Sequence, residues 1–142
     1  MGYASDMTRT FAVSGFTSRQ LAVYEAVNRV KKIAENTLKI GISLTDYERI
    51  MRTAMNQELT NLGLILHDTT EDEIAKLSRK YYPHRTSHFL GLDVHDVGLR
   101  DAILTPGMVL TIEPGIYIRE ESIGIRLEDD YLITETGCIK LS

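Results

Sequence analysis

The sequence predicts an α+β chain, and three observations carry that reading. Apolar residues recur at helical spacing through the first half. Short apolar runs broken by Pro-Gly and Gly turns fill the second half. No repeat, low-complexity tract or linker interrupts the 142 residues, so residues 1–142 read as one domain-sized unit. Helices come early and strands late, so the helix stripes are expected to cover one face of an antiparallel or mixed sheet.

In chain order, Ser5 to Val13 is rich in Thr, Phe and Val and predicts a strand ending at Ser14-Gly15. Thr17 with Gln20 forms a capping-box pair, and Val23, Val27, Val30, Ala34 and Leu38 then make one apolar stripe, with Gly41 as the stop. A second helix is expected from near Thr45, with Glu48 three residues on, through Tyr47, Ile50, Met51, Ala54 and Leu59 to Gly63. A third opens at Thr70 with Glu73, carries Ile74, Leu77 and Tyr81, and ends at Pro83. Phe89 to His95 fits strand or loop. Short strands are expected at Met108–Ile112, Ile116–Ile118, Ile123–Leu127 and Tyr131–Thr134.

Composition excludes several classes. Charged residues make up 25% and hydrophobic residues 43%, ordinary values for a globular chain. A net charge of −4 supplies no basic stripe, so no nucleic-acid partner is expected. No apolar run approaches the length of a membrane span, so no membrane partner is expected. Cys138 is the only cysteine, which forbids an internal disulfide and suggests a reducing, cytoplasmic setting. The same residue reads as small packing, Met51 and Met55 as core fill, His67 as exposed, and Glu71-Asp72-Glu73 as a favourable helix start.

The chemistry-bearing residues are histidines and carboxylates. His84, His88 and His95 fall close together, but Pro83 argues against a helix that would place His84 and His88 on one face. Glu113 ends an apolar run directly before Pro114-Gly115. Gly124, Arg126 and Glu128 alternate with Ile123, Ile125 and Leu127 and share the other strand face. The bland alternative for Arg126 and Glu128 is a solvated surface pair of little energetic worth. Asp6 sits inside a predicted strand, where aspartate is disfavoured and a metal would give a reason for it. Asp6, His88, Glu113 and Glu128 together would offer an oxygen-rich set with one imidazole, suited to manganese, iron, cobalt or zinc.

Four segments carry a family likeness: Gly2–Phe11, Thr86–Gly98, Pro106–Tyr117 and Gly124–Asp130. In their order they closely resemble the Xaa-Pro aminopeptidases, members of the pita-bread metallopeptidases with methionine aminopeptidase, prolidase and creatinase. The resemblance implies a pita-bread fold with helices on a curved sheet. It implies that Asp6 and Glu128 bridge two divalent ions, manganese foremost, with His88 and Glu113 as ligands of one. It casts His84, His95 and Glu113 as catalytic, and Arg126 and Tyr117 as supporting residues. The activity implied is cleavage between an N-terminal residue and a following proline, by a hydroxide activated between the metals. A prolidase-type dipeptidase and a binding module without metal are the alternatives. The family's further metal-binding Asp would fall before Met1. The expectation is therefore a C-terminal catalytic part with one full metal site, little activity by itself, and an exposed edge beside Asp6 that a second copy of the chain could pair with. The family usually places Gly after its first pocket histidine, where this chain has Arg85. That substitution predicts a charge near the pocket mouth.

Overall fold

The computed structural model describes residues 2–142. Three helices precede five strands: α1 (Ser18–Thr37), α2 (Leu44–Asn61), α3 (Glu71–Tyr81), β1 (Val109–Ile112), β2 (Gly115–Ile118), β3 (Ile123–Arg126), β4 (Asp129–Thr134) and β5 (Gly137–Lys140). The α+β reading holds.

The helix starts follow local chemistry. The Thr17 hydroxyl accepts from the Gln20 amide at 3.2 Å, and the Gln20 side chain accepts from the Thr17 amide at 3.0 Å. Before α3 the Glu73 carboxylate accepts from the Thr70 amide and hydroxyl. Helix α2 departs from expectation. Its N-cap is Ser43, whose hydroxyl accepts from the Asp46 amide, so Thr45 and Glu48 are not a capping pair. Ser43 captures the helix start two residues earlier than Thr45 would, which leaves Glu48 free for other use.

The expected single sheet is two small antiparallel ones, ordered β1-β4-β5 and β2-β3. The register is continuous across both. Ile112 pairs with Asp129 and Gly115 with Arg126, so β1 and β2 form one arm of a long hairpin and β3 and β4 the other. The ladder is interrupted between Glu113-Pro114 on one arm and Leu127-Glu128 on the other. Proline has no N–H to give to a ladder. Strand β5 was not anticipated, because Gly137–Lys140 is too short to show an alternation.

The predicted Ser5–Val13 strand is not one. It runs extended along the interruption, but only Thr8 bridges, to Glu128. Asp6 donates its amide to the Asp130 side chain instead of to a ladder. On the far side of β1, the 86–90 segment runs antiparallel to it, with a single bridge from Phe89 to Leu110. Asp6, Glu128, Glu113 and His88 thus lie on neighbouring lines of backbone.

Two apolar clusters hold this arrangement against the helices. One joins Val23, Val27, Val30, Met55 and Leu59 to Ile116, Ile118 and Ile125 of β2–β3. The other joins Ala34, Leu38, Tyr47 and Met51 to Leu110, Ile112, Tyr131 and Ile133 of β1–β4. Met51 and Met55 are core residues as expected, His67 is exposed, and Cys138 is half-buried on β5 against α1. No described helix is long and apolar enough to cross a membrane.

Candidate metal centre

Glu113 and Glu128 face each other across the hairpin interruption, at the positions the continuous register pairs. Glu128 is only 1% exposed, so the solvated-face alternative fails for it, whereas Arg126 keeps a partly exposed side chain. The Thr8 hydroxyl donates to Glu128 Oε2 at 2.6 Å and accepts from Arg126 Nε and Nη2 at 3.0 and 2.9 Å. Arg126 itself lies 3.6 Å from Glu128. Thr8 therefore links a guanidinium to a buried carboxylate. The sequence hid this, since a threonine in a Thr-rich stretch carries no mark of such a role.

His88 Nε2 lies 3.5 Å from Asp6 Oδ2 and 3.5 Å from Glu113 Oε1. Its Nδ1 faces the Phe89 carbonyl at 3.0 Å, and a carbonyl can only accept, so Nδ1 carries the proton. Nε2, aimed between the two carboxylates, is buried and without any hydrogen-bond partner. A backbone carbonyl held by one ring nitrogen, with the other nitrogen turned to carboxylates, is the arrangement that metal-bound histidines adopt.

Ligand atoms of His88, Glu113 and Glu128 lie within 4.8 Å of one another, as do those of Asp6, His88 and His95. The four expected ligands therefore converge around one imidazole, and the donor set fits a divalent ion. Burial and the nearby charge of Glu128 push the Glu113 carboxyl up to about 8, Asp6 and Glu48 adding to the effect and Arg126 opposing it.

The other expected residues surround this centre. His84 Nδ1 donates to the Arg85 carbonyl at 2.8 Å and lies 4.0 Å from Glu113. Its Nε2 accepts from the Tyr117 hydroxyl at 2.8 Å. Burial lowers the His84 pKa, so the ring is neutral near pH 7. Gly115 makes room for Tyr117, because a Cβ there would lie 2.7 Å from the Tyr117 hydroxyl. His95 is exposed, but its ring stacks edge-on against His88 at 4.4 Å. The loop carrying it is shaped by Asp96, which accepts from the Leu92 and Val97 amides. Gly98 lets the loop pass: a Cβ there would sit 2.0 Å from the Phe89 ring. Arg85 does not point to the pocket. It turns to Glu48 at 3.8 Å, and it needs no left-handed backbone, Ser122 being the one non-glycine residue with positive φ among the described residues.

Residues 1–135 match the metallopeptidase family M24, and the chain belongs to that family. Similar proteins in the family include Xaa-Pro aminopeptidases. The chain is 41% identical to Xaa-Pro aminopeptidase 3 of Rattus norvegicus over 152 aligned residues, and 42% identical to the Xaa-Pro aminopeptidase of Escherichia coli K12 over 149. These alignments take in 99% and 96% of this chain but 30% and 34% of the relatives. Among solved structures, zinc-substituted E. coli aminopeptidase P in complex with product matches with a TM-score of 0.87 at 40% identity. Proline aminopeptidase P II from Yersinia pestis matches with 0.88 at 41%. Each match covers 98% of this chain and about a third of the other. The pita-bread expectation is met, and the chain spans about a third of the length of these relatives.

Proposed function

We propose that this chain carries the metal-binding part of a peptidase that cleaves between an N-terminal residue and a following proline. The observation that supports the reading is the convergence of Asp6, Glu113 and Glu128 on the unpartnered Nε2 of His88. A divalent ion held there would supply Lewis acidity and lower the pKa of a bound water. Manganese is the ion we assign first, since one imidazole among carboxylates suits a hard or borderline cation.

The chain's own groups then have distinct tasks. Asp6, His88, Glu113 and Glu128 hold the cation. Glu113, ionised once a bound cation has displaced its proton, is suited to take a proton from the attacking water and pass it to the departing proline nitrogen. An amine anion is a very poor leaving group, so that nitrogen departs only when protonated. His84, kept neutral and oriented by Tyr117, and His95 flank the path of the peptide.

The test is manganese binding by equilibrium dialysis, with calorimetry of Xaa-Pro against Xaa-Ala peptides on the loaded chain. The expected result is one ion per chain, lost in H88A, and selective binding of the proline peptide. No manganese bound, or equal binding by wild type and H88A, overturns the reading. The 34% identity to the Xaa-Pro dipeptidase of Rattus norvegicus favours a second reading, a prolidase-type dipeptidase. Preference for a dipeptide over a longer Xaa-Pro peptide would select it. A binding module without metal would leave four converging ligands without a task.

A further inference from the structure

We infer that Glu48 and Arg52 of α2 are positioning residues for the metal centre, acting together as a clamp on the segment that carries His84 and His88. The inference rests on the metal-centre reading above. Neither residue reaches the ion site. Their positions, four residues apart, put them on one face of α2.

The 82–88 segment belongs to no helix or strand, so it has no periodic hydrogen bonding of its own. Several of its polar backbone groups are nonetheless engaged, and side chains of α2 take four of them. Glu48 accepts from the Thr86 amide at 3.1 and 3.0 Å through its two oxygens, and from the Ser87 amide at 3.0 Å. Arg52 donates to the Tyr82 carbonyl at 2.8 Å and to the His84 carbonyl at 3.3 Å. The same guanidinium lies 4.5 Å over the Tyr82 ring. An acceptor thus holds the amides just before His88, and a forked donor holds the carbonyls at His84.

Strand β1 closes the other side. The Glu113 amide donates to the Thr86 carbonyl at 2.8 Å, and the Thr111 amide to the His88 carbonyl at 3.0 Å. The Thr111 hydroxyl accepts from the His88 amide at 3.2 Å. The segment is therefore set between α2 and β1, and Thr86 bonds to Glu48 on one side and to the backbone of Glu113 on the other. Movement of Glu48 would be passed to both metal-ligand elements. A carboxylate taking two amides of an irregular segment fixes its path more firmly than surrounding apolar contacts could, because the bonds are directional and charge-assisted. Outer groups of this kind commonly set ligand geometry, and losing one costs about ten- to a hundredfold in metal affinity.

The experiment combines manganese titration with amide hydrogen exchange on the full chain. E48A is expected to bind manganese about tenfold more weakly. In the metal-free form its Thr86 and Ser87 amides should exchange faster while those of β1 stay protected. E48Q, which keeps one acceptor oxygen, should recover part of the affinity. M51A is the control for general destabilisation: it empties a core position on the same helix, so it should lower the melting temperature and leave affinity within about twofold. If E48A does not fold, R52K carries the test. A lysine cannot span both carbonyls, and a loss of about threefold in affinity is expected. Wild-type affinity in a folded E48A or R52K, or an equal loss in M51A, overturns the clamp with the metal reading intact. A wild-type chain that takes no manganese overturns the metal reading and the clamp with it.

Discussion

Replacing His88 by alanine removes the one nitrogen donor that both Asp6 and Glu113 face, and metal affinity is expected to fall by more than about a hundredfold by titration. Thr8 offers a finer probe. T8V deprives the buried Glu128 carboxylate of its 2.6 Å donor and leaves Arg126 without its acceptor. A stability loss of about 1.5–3 kcal/mol is expected in urea unfolding, and T8S should be close to wild type. Glu113 links the centre to pH. Burial and Glu128 raise its carboxyl to about 8 in the folded, metal-free chain, above the ordinary 4.5. The neutral form is thus favoured by folding, and metal-free stability should rise as pH falls from about 8 toward 4.5. Near neutral pH a binding metal must displace that proton. Calorimetry in buffers of different ionisation enthalpy should show about one proton released per ion at neutral pH, fewer above pH 8 and none in E113Q.

Two elements flank the candidate ligands, and each has its own weak point. The 89–98 loop brings His95 to His88 only because Gly98 lets the Phe89 ring lie across it. G98A forces the ring or the loop to move, at a cost of about 1–3 kcal/mol, with a loss of His88–His95 contact visible by NMR. The start of β4 depends on charge. Burial by itself would raise the pKa of Asp129, but hydrogen bonds from Lys31, Lys140 and Arg9 outweigh it and hold the group at about 2. Its folded value lies below the ordinary 3.8, so its contribution is present above 3.8 and disappears as pH falls through about 2. That contribution is about 2 kcal/mol, and D129N should remove it, leaving a flatter stability profile between those limits. Arg9 also donates to the Thr8 and Glu128 carbonyls, so this ion cluster steadies the bridge beside Asp6.

Across the whole molecule, the same register that builds the hairpin builds the centre. Glu113 and Glu128 lie fifteen positions apart in sequence but opposite each other in space, because one ladder runs through both sheets. The 3–13 segment is the open side of this assembly. Its inner positions Asp6 and Thr8 meet the hairpin, while Tyr3, Met7, Phe11 and Val13 face outward and exposed. Pairing with a second copy, expected from the sequence, would cover these side chains, and sedimentation at increasing concentration would detect it.

The sequence by itself determined the helices, their capping at Thr17 and Thr70, the apolar stripes, the four principal strands and the identity of the candidate ligands. These are local: a side chain reaching an amide three residues away, a period of 3.6 or 2, or a motif read in order. Only the tertiary structure decided what depends on distant partners. Asp6 lies in an extended segment and not a strand because its amide is taken by the Asp130 side chain across the fold. Glu48 looked like a cap and became an anchor because Ser43 had already taken the helix start. Arg126 and Glu128 alternate like a solvated strand face, yet Glu128 is buried because Thr8 arrives from the far end of the chain to cover it. Burial is a property of what packs on a residue, and no local pattern records that.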